Sequence, residues 1–298
     1  MSEAVKLFSL QVTLIAVVLI LHTYLGLHVI RRTLIFSDLV LDQLAAFGAL
    51  LGVGIYAKYA FSDSAVLAKT AALFKYASVG SYLLALVAVL FGSLLLALIK
   101  PKTRAIPREA VICILFAMAL VISLLLTDKL PNAEIYVTTT LSGSLLWVTW
   151  PLVIVTVVVY IVILLFHYIF RDKFITLAEN PQKLKNEKLW DFLFFTTQGI
   201  ITVLIVPIAG VLLAYAFLMI PAATAALFTK KWAKAVLIGW SIGFVACVLG
   251  LGSSYFCNFP YGPTLVLFLG LFFVCAMVLR CVLSRRNVNL KGYESCRN

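Results

Sequence analysis

Apolar residues run in blocks of roughly 20, separated by short polar connectors that hold most of the lysines and arginines. At 1.5 Å per residue such a block is about 30 Å long, the thickness of a bilayer's hydrocarbon core. The pattern predicts spanning helices over 7–30, 34–57, 77–99, 110–126, 146–166, 192–206, 208–228, 235–256 and 263–279. That makes nine, or eight if the pair around VPIAG (206–210) hides a short or re-entrant segment, because almost no loop is left there. The first block lacks a basic stretch in front of it and exceeds the roughly 7 to 15 apolar residues of a signal-peptide core, so it reads as a retained helix.

Composition fits this pattern: 63% of the 298 residues are hydrophobic and 12% are charged. No polar stretch is long enough for a separate soluble domain, so 1–298 reads as a single all-α transmembrane bundle. Charge orients it. With the N-terminus outside and the C-terminus inside, 19 of the 24 basic residues fall on the inner side, in the connectors around 31–32, 100–108, 171–188 and 230–234 and in the tail. The net charge of +12 follows from that bias, and no basic cluster interleaves with exposed aromatics, so nucleic acid is not an expected partner.

The candidate chemistry is sparse. Cys113, Cys247, Cys257, Cys275 and Cys281 lie in or beside apolar blocks, and Cys296 in the tail is expected to be reduced. His22, His28 and His167 are scattered. The first two stand about 240° apart on a helix and form no ligand pair, so each reads as a packed or interfacial histidine. The exception is LIFSDLVLDQLAAFGALLGVGIYA (34–57), where Asp38, Asp42 and Gln43 open an apolar helix. On a helical wheel Asp38 and Asp42 share an arc with Ala45, Ala49 and Gly52, and Gly48 and Gly52 have the spacing that admits a neighbouring backbone, so this face should look into the bundle. Two carboxylates this close in hydrocarbon need a cation or a shared proton. The competing reading is a helix-start pair, with Asp38 as a cap and Asp42 paired with Arg31 or Arg32.

Two further segments matter. Pro221, followed by Ala222, Ala223, Thr224, Ala225 and Ala226, suits a kinked, tightly packed gate helix. The longest inner connector, 171–190, carries Glu179, Asn180, Lys183 and Glu187, and Asn180-Pro181 can start a short helix across the membrane face, a docking element for a cytoplasmic partner.

Four patches, RRTLIFSDLVLDQLAAFGALLG, LSGSLLWVTW, AGVLLAYAFLMIPAATAALFT and NFPYGPTLVLFLG, in this order and spacing, resemble the membrane permeases of zinc, manganese and iron ABC importers. KLWDFLFF together with DLVLDQLAAFG is closer to a less-studied branch of them. The resemblance implies a homodimeric or pseudo-dimeric pore in a bacterial cytoplasmic (inner) membrane, ATPase subunits on its inner face, and an extracytoplasmic metal-binding protein. It implies no permanent cofactor, since the divalent metal is the transported substrate, and no enzymatic activity in this chain, which has no Walker A pattern. Asp38 occupies the family's Asp position. Asp42 stands where the family usually has His, and Leu41 and Ala46 stand where it has Ser and Pro, so a borderline-soft nitrogen is replaced by a hard oxygen and the expectation moves from zinc toward manganese or iron(II). Asp38 and Asp42, with Gln43 as a weaker third, are the expected ligands along the path. A proton-coupled secondary transporter would use the same acids without an ATPase. An intramembrane protease is less favoured, because its two aspartates should face each other from different helices.

Overall fold

The computed structural model describes residues 3–61, 70–99, 106–129 and 149–295. The expected start of the fifth span at 146, most of the LSGSLLWVTW patch and Cys296 lie outside the described residues. The described residues form ten α-helices: α1 (Glu3–Arg31), α2 (Ser37–Phe61), α3 (Thr70–Leu98), α4 (Arg108–Thr127), α5 (Trp150–Ile169), α6 (Arg171–Glu179), α7 (Glu187–Ala209), α8 (Val211–Phe228), α9 (Trp232–Cys257) and α10 (Tyr261–Ser295). Eight of them are long and apolar enough to cross a membrane. The 25-residue α2 runs among these with its two acids, which gives nine membrane-length helices among the described residues. The chain is a multi-pass membrane protein with the helical-bundle architecture that its apolar blocks predict.

Contacts at one end of the bundle fix the direction of each helix. Arg31 closes α1 and hydrogen-bonds Glu179 at the end of α6 and the Lys230 carbonyl beyond α8. Arg32 pairs with Asp191 in the first turns of α7, and Arg108 at the start of α4 reaches both Asp191 and the Leu96 carbonyl near the end of α3. Helix ends and starts therefore alternate at this basic face, as successive antiparallel crossings require. The turn at Gly210 then belongs to the opposite face.

That turn resolves the crowded VPIAG segment. Neither helix is re-entrant: α7 continues through Pro207 to Ala209, and one residue, Gly210, separates it from α8. Gly210 has φ 80°, a conformation that a side chain would strain. Pro207 lacks the amide that would bond the Val203 carbonyl, which loosens the last turn just before the reversal.

The centre of the bundle is α8, which packs on α1, α9 and α10. Here α9 contributes glycines that the sequence reading passed over. A methyl on Gly239 would sit 2.6 Å from the Pro221 carbonyl oxygen, and one on Gly243 would sit 3.0 Å from the Pro221 ring. Gly26 of α1 allows an equally close approach, since a methyl there would overlap the Leu218 carbonyl and lie 2.8 Å from Ala222 Cβ. Pro221 lies within a continuous α8 and does not interrupt it. By contrast, α4, α5 and α10 expose apolar side chains such as Leu125, Val162 and Leu267 on the outside of the bundle, where lipid belongs.

Ala222 is fully buried, whereas Ala223 is only half-buried. Ala222→Leu should therefore overpack the α1–α8 contact, at a cost of about 1 to 3 kcal/mol. The expected outcome is transport reduced more than membrane abundance, measured by uptake normalised to immunoblot; wild-type uptake would show that this contact does not matter.

Candidate functional site

Asp38 and Asp42 enter the bundle one turn apart on α2, and both are almost fully buried, at 3% and 1% exposure. Further along α2, Gly48 and Gly52 seat the helix on α3. Methyls on these glycines would lie 2.6 Å from Ala85 Cα and 2.5 Å from Ser81 Cα, so close helix packing holds α2 in register. On the acid side stands α7. Gln198 donates its amide to Asp38 Oδ1 at 2.7 Å, and Thr202, one turn further along α7, lies beside Asp42. Among the described residues, Gln198 Oε1 has no hydrogen-bond partner. Tyr160 of α5 faces the two acids, and its hydroxyl is 3.5 Å from His22 Nδ1.

The helix-start alternative fails on geometry. Arg31 is held by Glu179 and lies 3.7 Å above the Trp232 ring, and Arg32 is held by Asp191, so neither arginine pairs with Asp42. Ser37 donates its hydroxyl to the Leu34 carbonyl at the start of α2, while Asp38 takes its hydrogen bond from α7. Gln43 faces a different neighbour and donates to Ser123 of α4 at 3.0 Å.

The arrangement offers two carboxylates, the Gln198 amide that donates to one of them and the Thr202 hydroxyl beside the other. Among the described residues no three His, Cys, Asp or Glu side chains converge to hold a metal. Two acids helped by neutral oxygens suit an ion that pauses and leaves better than one locked in a closed cage. The sequence reading missed Gln198 and Thr202, although Thr196, Thr197 and Gln198 form a polar run inside an apolar helix, the same kind of signal that marked α2.

The connector at the basic end also differs in detail from expectation. Its helix is α6, which ends at Glu179; Asn180 follows it, and Pro181–Lys183 makes only a 3-10 turn. Phe174, Leu177 and Ala178 supply the reason, for they stand on one helical face and are buried against the bundle. Glu179 Oε1 accepts from Arg31 at 2.9 Å and from Trp232 Nε1 at 3.0 Å, so α6 is tied to α1 and α9 together.

These features define a polytopic helical bundle with a buried carboxylate pair and, at its basic end, a short helix clamped to α1 and α9. The chain belongs to the ABC 3 transport family, whose model matches residues 60–280. The matched segment begins after Asp38 and Asp42, so the pair stands outside it. A probable metal transport system membrane protein of Chlamydia pneumoniae is 25% identical over 188 residues, which cover 60% of this chain and 62% of that protein. A manganese transport system membrane protein of Listeria monocytogenes is 27% identical over 127 residues, covering 41% and 45%. The chain thus matches about three fifths or less of the length of these relatives. The solved PsaBC of Streptococcus pneumoniae, in complex with Fab, shares the fold at a TM-score of 0.66, with 21% identity and 89% of each chain covered.

Proposed function

We propose that this chain is the permease subunit of an ABC importer that moves a divalent metal ion, manganese or iron(II) ahead of zinc, across a bacterial cytoplasmic membrane. The observation that carries the proposal is the pair Asp38 and Asp42, buried without an arginine partner beside the neutral side chains of Gln198 and Thr202 on α7. Ionised carboxylates there need a mobile cation to offset them. The relatives named for metal or manganese transport support the substrate class. The basic end is the cytoplasmic face by the positive-inside rule, with the N-terminus outside and the C-terminus inside. On that face α6 and the turn after it form the docking element for a separate ATPase, which would hydrolyse the ATP. The other partners are a second permease copy and an extracytoplasmic metal-binding protein.

The test is to co-express the chain with a candidate ATPase subunit from its own genome, purify the complex and reconstitute it. Metal uptake should require ATP. Uptake driven by a proton gradient without ATP would replace this proposal with the secondary-transporter alternative. In the same preparation, exchanging residues 179–188 for a Gly/Ser linker removes the Glu179 clamp and the Pro181–Lys183 turn. This exchange should leave the bundle folded and eliminate substrate-stimulated ATP hydrolysis. Unchanged stimulation would mean that the ATPase docks elsewhere.

A further inference from the structure

His28 and His167, far apart in sequence, meet in one aromatic box. Tyr24 of α1 sets its ring edge-on to both, at 4.7 Å from His28 and 5.5 Å from His167. Phe194 of α7 lies 5.7 Å and 6.3 Å from the same two rings, and Trp232 lies 4.3 Å from His28. Both histidines are 1% exposed. Packing alone would leave such rings with their nitrogens satisfied. Here His28 Nε2, His167 Nδ1 and the Tyr24 hydroxyl are buried with no hydrogen-bond partner among the described residues.

One of these free nitrogens is set up by a neighbour. Thr197 gives its single hydroxyl proton to the Phe194 carbonyl at 2.9 Å, so at 2.9 Å from His167 Nε2 it can only accept. Nε2 therefore carries the ring proton, and Nδ1 is left with a bare, buried lone pair. An imidazole fixed through its far nitrogen is the arrangement that metal-ligating histidines use. His22, outside the box, instead has its Nδ1 against the Val18 carbonyl at 3.1 Å.

The position is as informative as the chemistry. His22 and Tyr160 mark the level of the carboxylate pair on α1 and α5. His28 lies six residues further toward Arg31, and His167 lies seven further toward α6, so both helices place the box about 9 to 10 Å nearer the basic end. There Phe174 of α6 stacks on His167 at 4.0 Å with 19° between the ring planes.

We infer that His28 and His167, with the Tyr24 hydroxyl, form a second, nitrogen-based station for a divalent transition-metal ion, between the carboxylate pair and the docking helix. This rests on the metal-importer reading above. Two imidazoles and a phenol oxygen favour a transition metal over calcium or magnesium. A shift of α6 moves Phe174 and with it the His167 ring, so the grip of this station is tied to the state of the ATPase, as a release site requires.

The experiment uses the full chain in nanodiscs, with Mn2+ alone as the probe and with Asp38→Asn and Asp42→Asn removing the upper site. Three-pulse electron spin echo modulation should show 14N coupling from imidazole on the bound Mn2+. His28→Gln or His167→Gln should each lower the modulation depth to about half, and the two together should remove it. His22→Gln should leave it unchanged. Absence of 14N modulation, or its loss with His22→Gln in place of the other two, would overturn the inference. Each single variant carries the test by itself if the other does not fold. ATP-driven uptake without the 14N signal would remove this station and leave the importer reading intact, whereas the signal without any metal uptake would do the reverse.

Discussion

Asp38→Asn is expected to lower uptake of manganese, iron(II) and zinc alike by roughly 100-fold or more in cells that lack other importers, at matched membrane abundance. Even partners that only orient a ligand change metal affinity by about 10- to 100-fold, and Asp38 is read as a direct ligand. Asp42 then remains the only carboxylate beside the site, since Gln198 and Thr202 are neutral. Asp42→His tests the other half of the pair. It exchanges a hard oxygen for a borderline nitrogen, so preference should move toward zinc over manganese. Normal transport by Asp38→Asn would mean that the buried pair holds no metal. Failure of the selectivity shift alone would remove only Asp42 from the ligand set.

Asp191→Ala should destabilise the chain by about 3 to 5 kcal/mol, because removing one partner of a buried ion pair leaves the others uncompensated. Asp191 is fully buried and stands between Arg32 and Arg108, which lie over the Phe195 ring at 5.6 and 5.7 Å. Without it, two guanidiniums remain near one another at the junction of the α1–α2 connector, α4 and α7. The midpoint of thermal unfolding in detergent should fall sharply. Replacing Arg32, Arg108 and Asp191 together with apolar residues of similar volume should recover much of the loss. An unchanged midpoint for Asp191→Ala would mean that water already screens the cluster.

The bundle was legible because bilayer spans leave a strong local trace in the chain, namely apolar blocks bounded by basic connectors. The inward orientation of Asp38 and Asp42 was legible for a similar reason, as polar residues sharing a helix face with small ones. Other features depend on contacts between distant segments. Nothing near Asp42 says that Arg31 and Arg32 are taken by Glu179 and Asp191, 148 and 159 residues further along. The meeting of His28 with His167 is of the same kind, and reading them as unrelated packed histidines follows directly from their separation in sequence. Local turn chemistry told part of the story: Asn180-Pro181 does start a short 3-10 helix, Pro181–Lys183, but burial of Phe174, Leu177 and Ala178 sets a longer helix just before it. At Pro221 the sequence suggested tight packing through the small residues after it, but not the partners, Gly239 and Gly243 of α9, which let the Pro221 turn approach closely.

The claim that the carboxylate pair holds the metal is tested most directly by equilibrium binding of Mn2+ to the purified full chain and to its Asp38→Asn, Asp42→Asn double variant. At neutral to mildly basic pH the double variant should bind one ion fewer per chain. Acidification should erase the difference by protonating the wild-type carboxylates, since a protonated carboxylate is a poor ligand. Equal stoichiometry at neutral pH would contradict the claim.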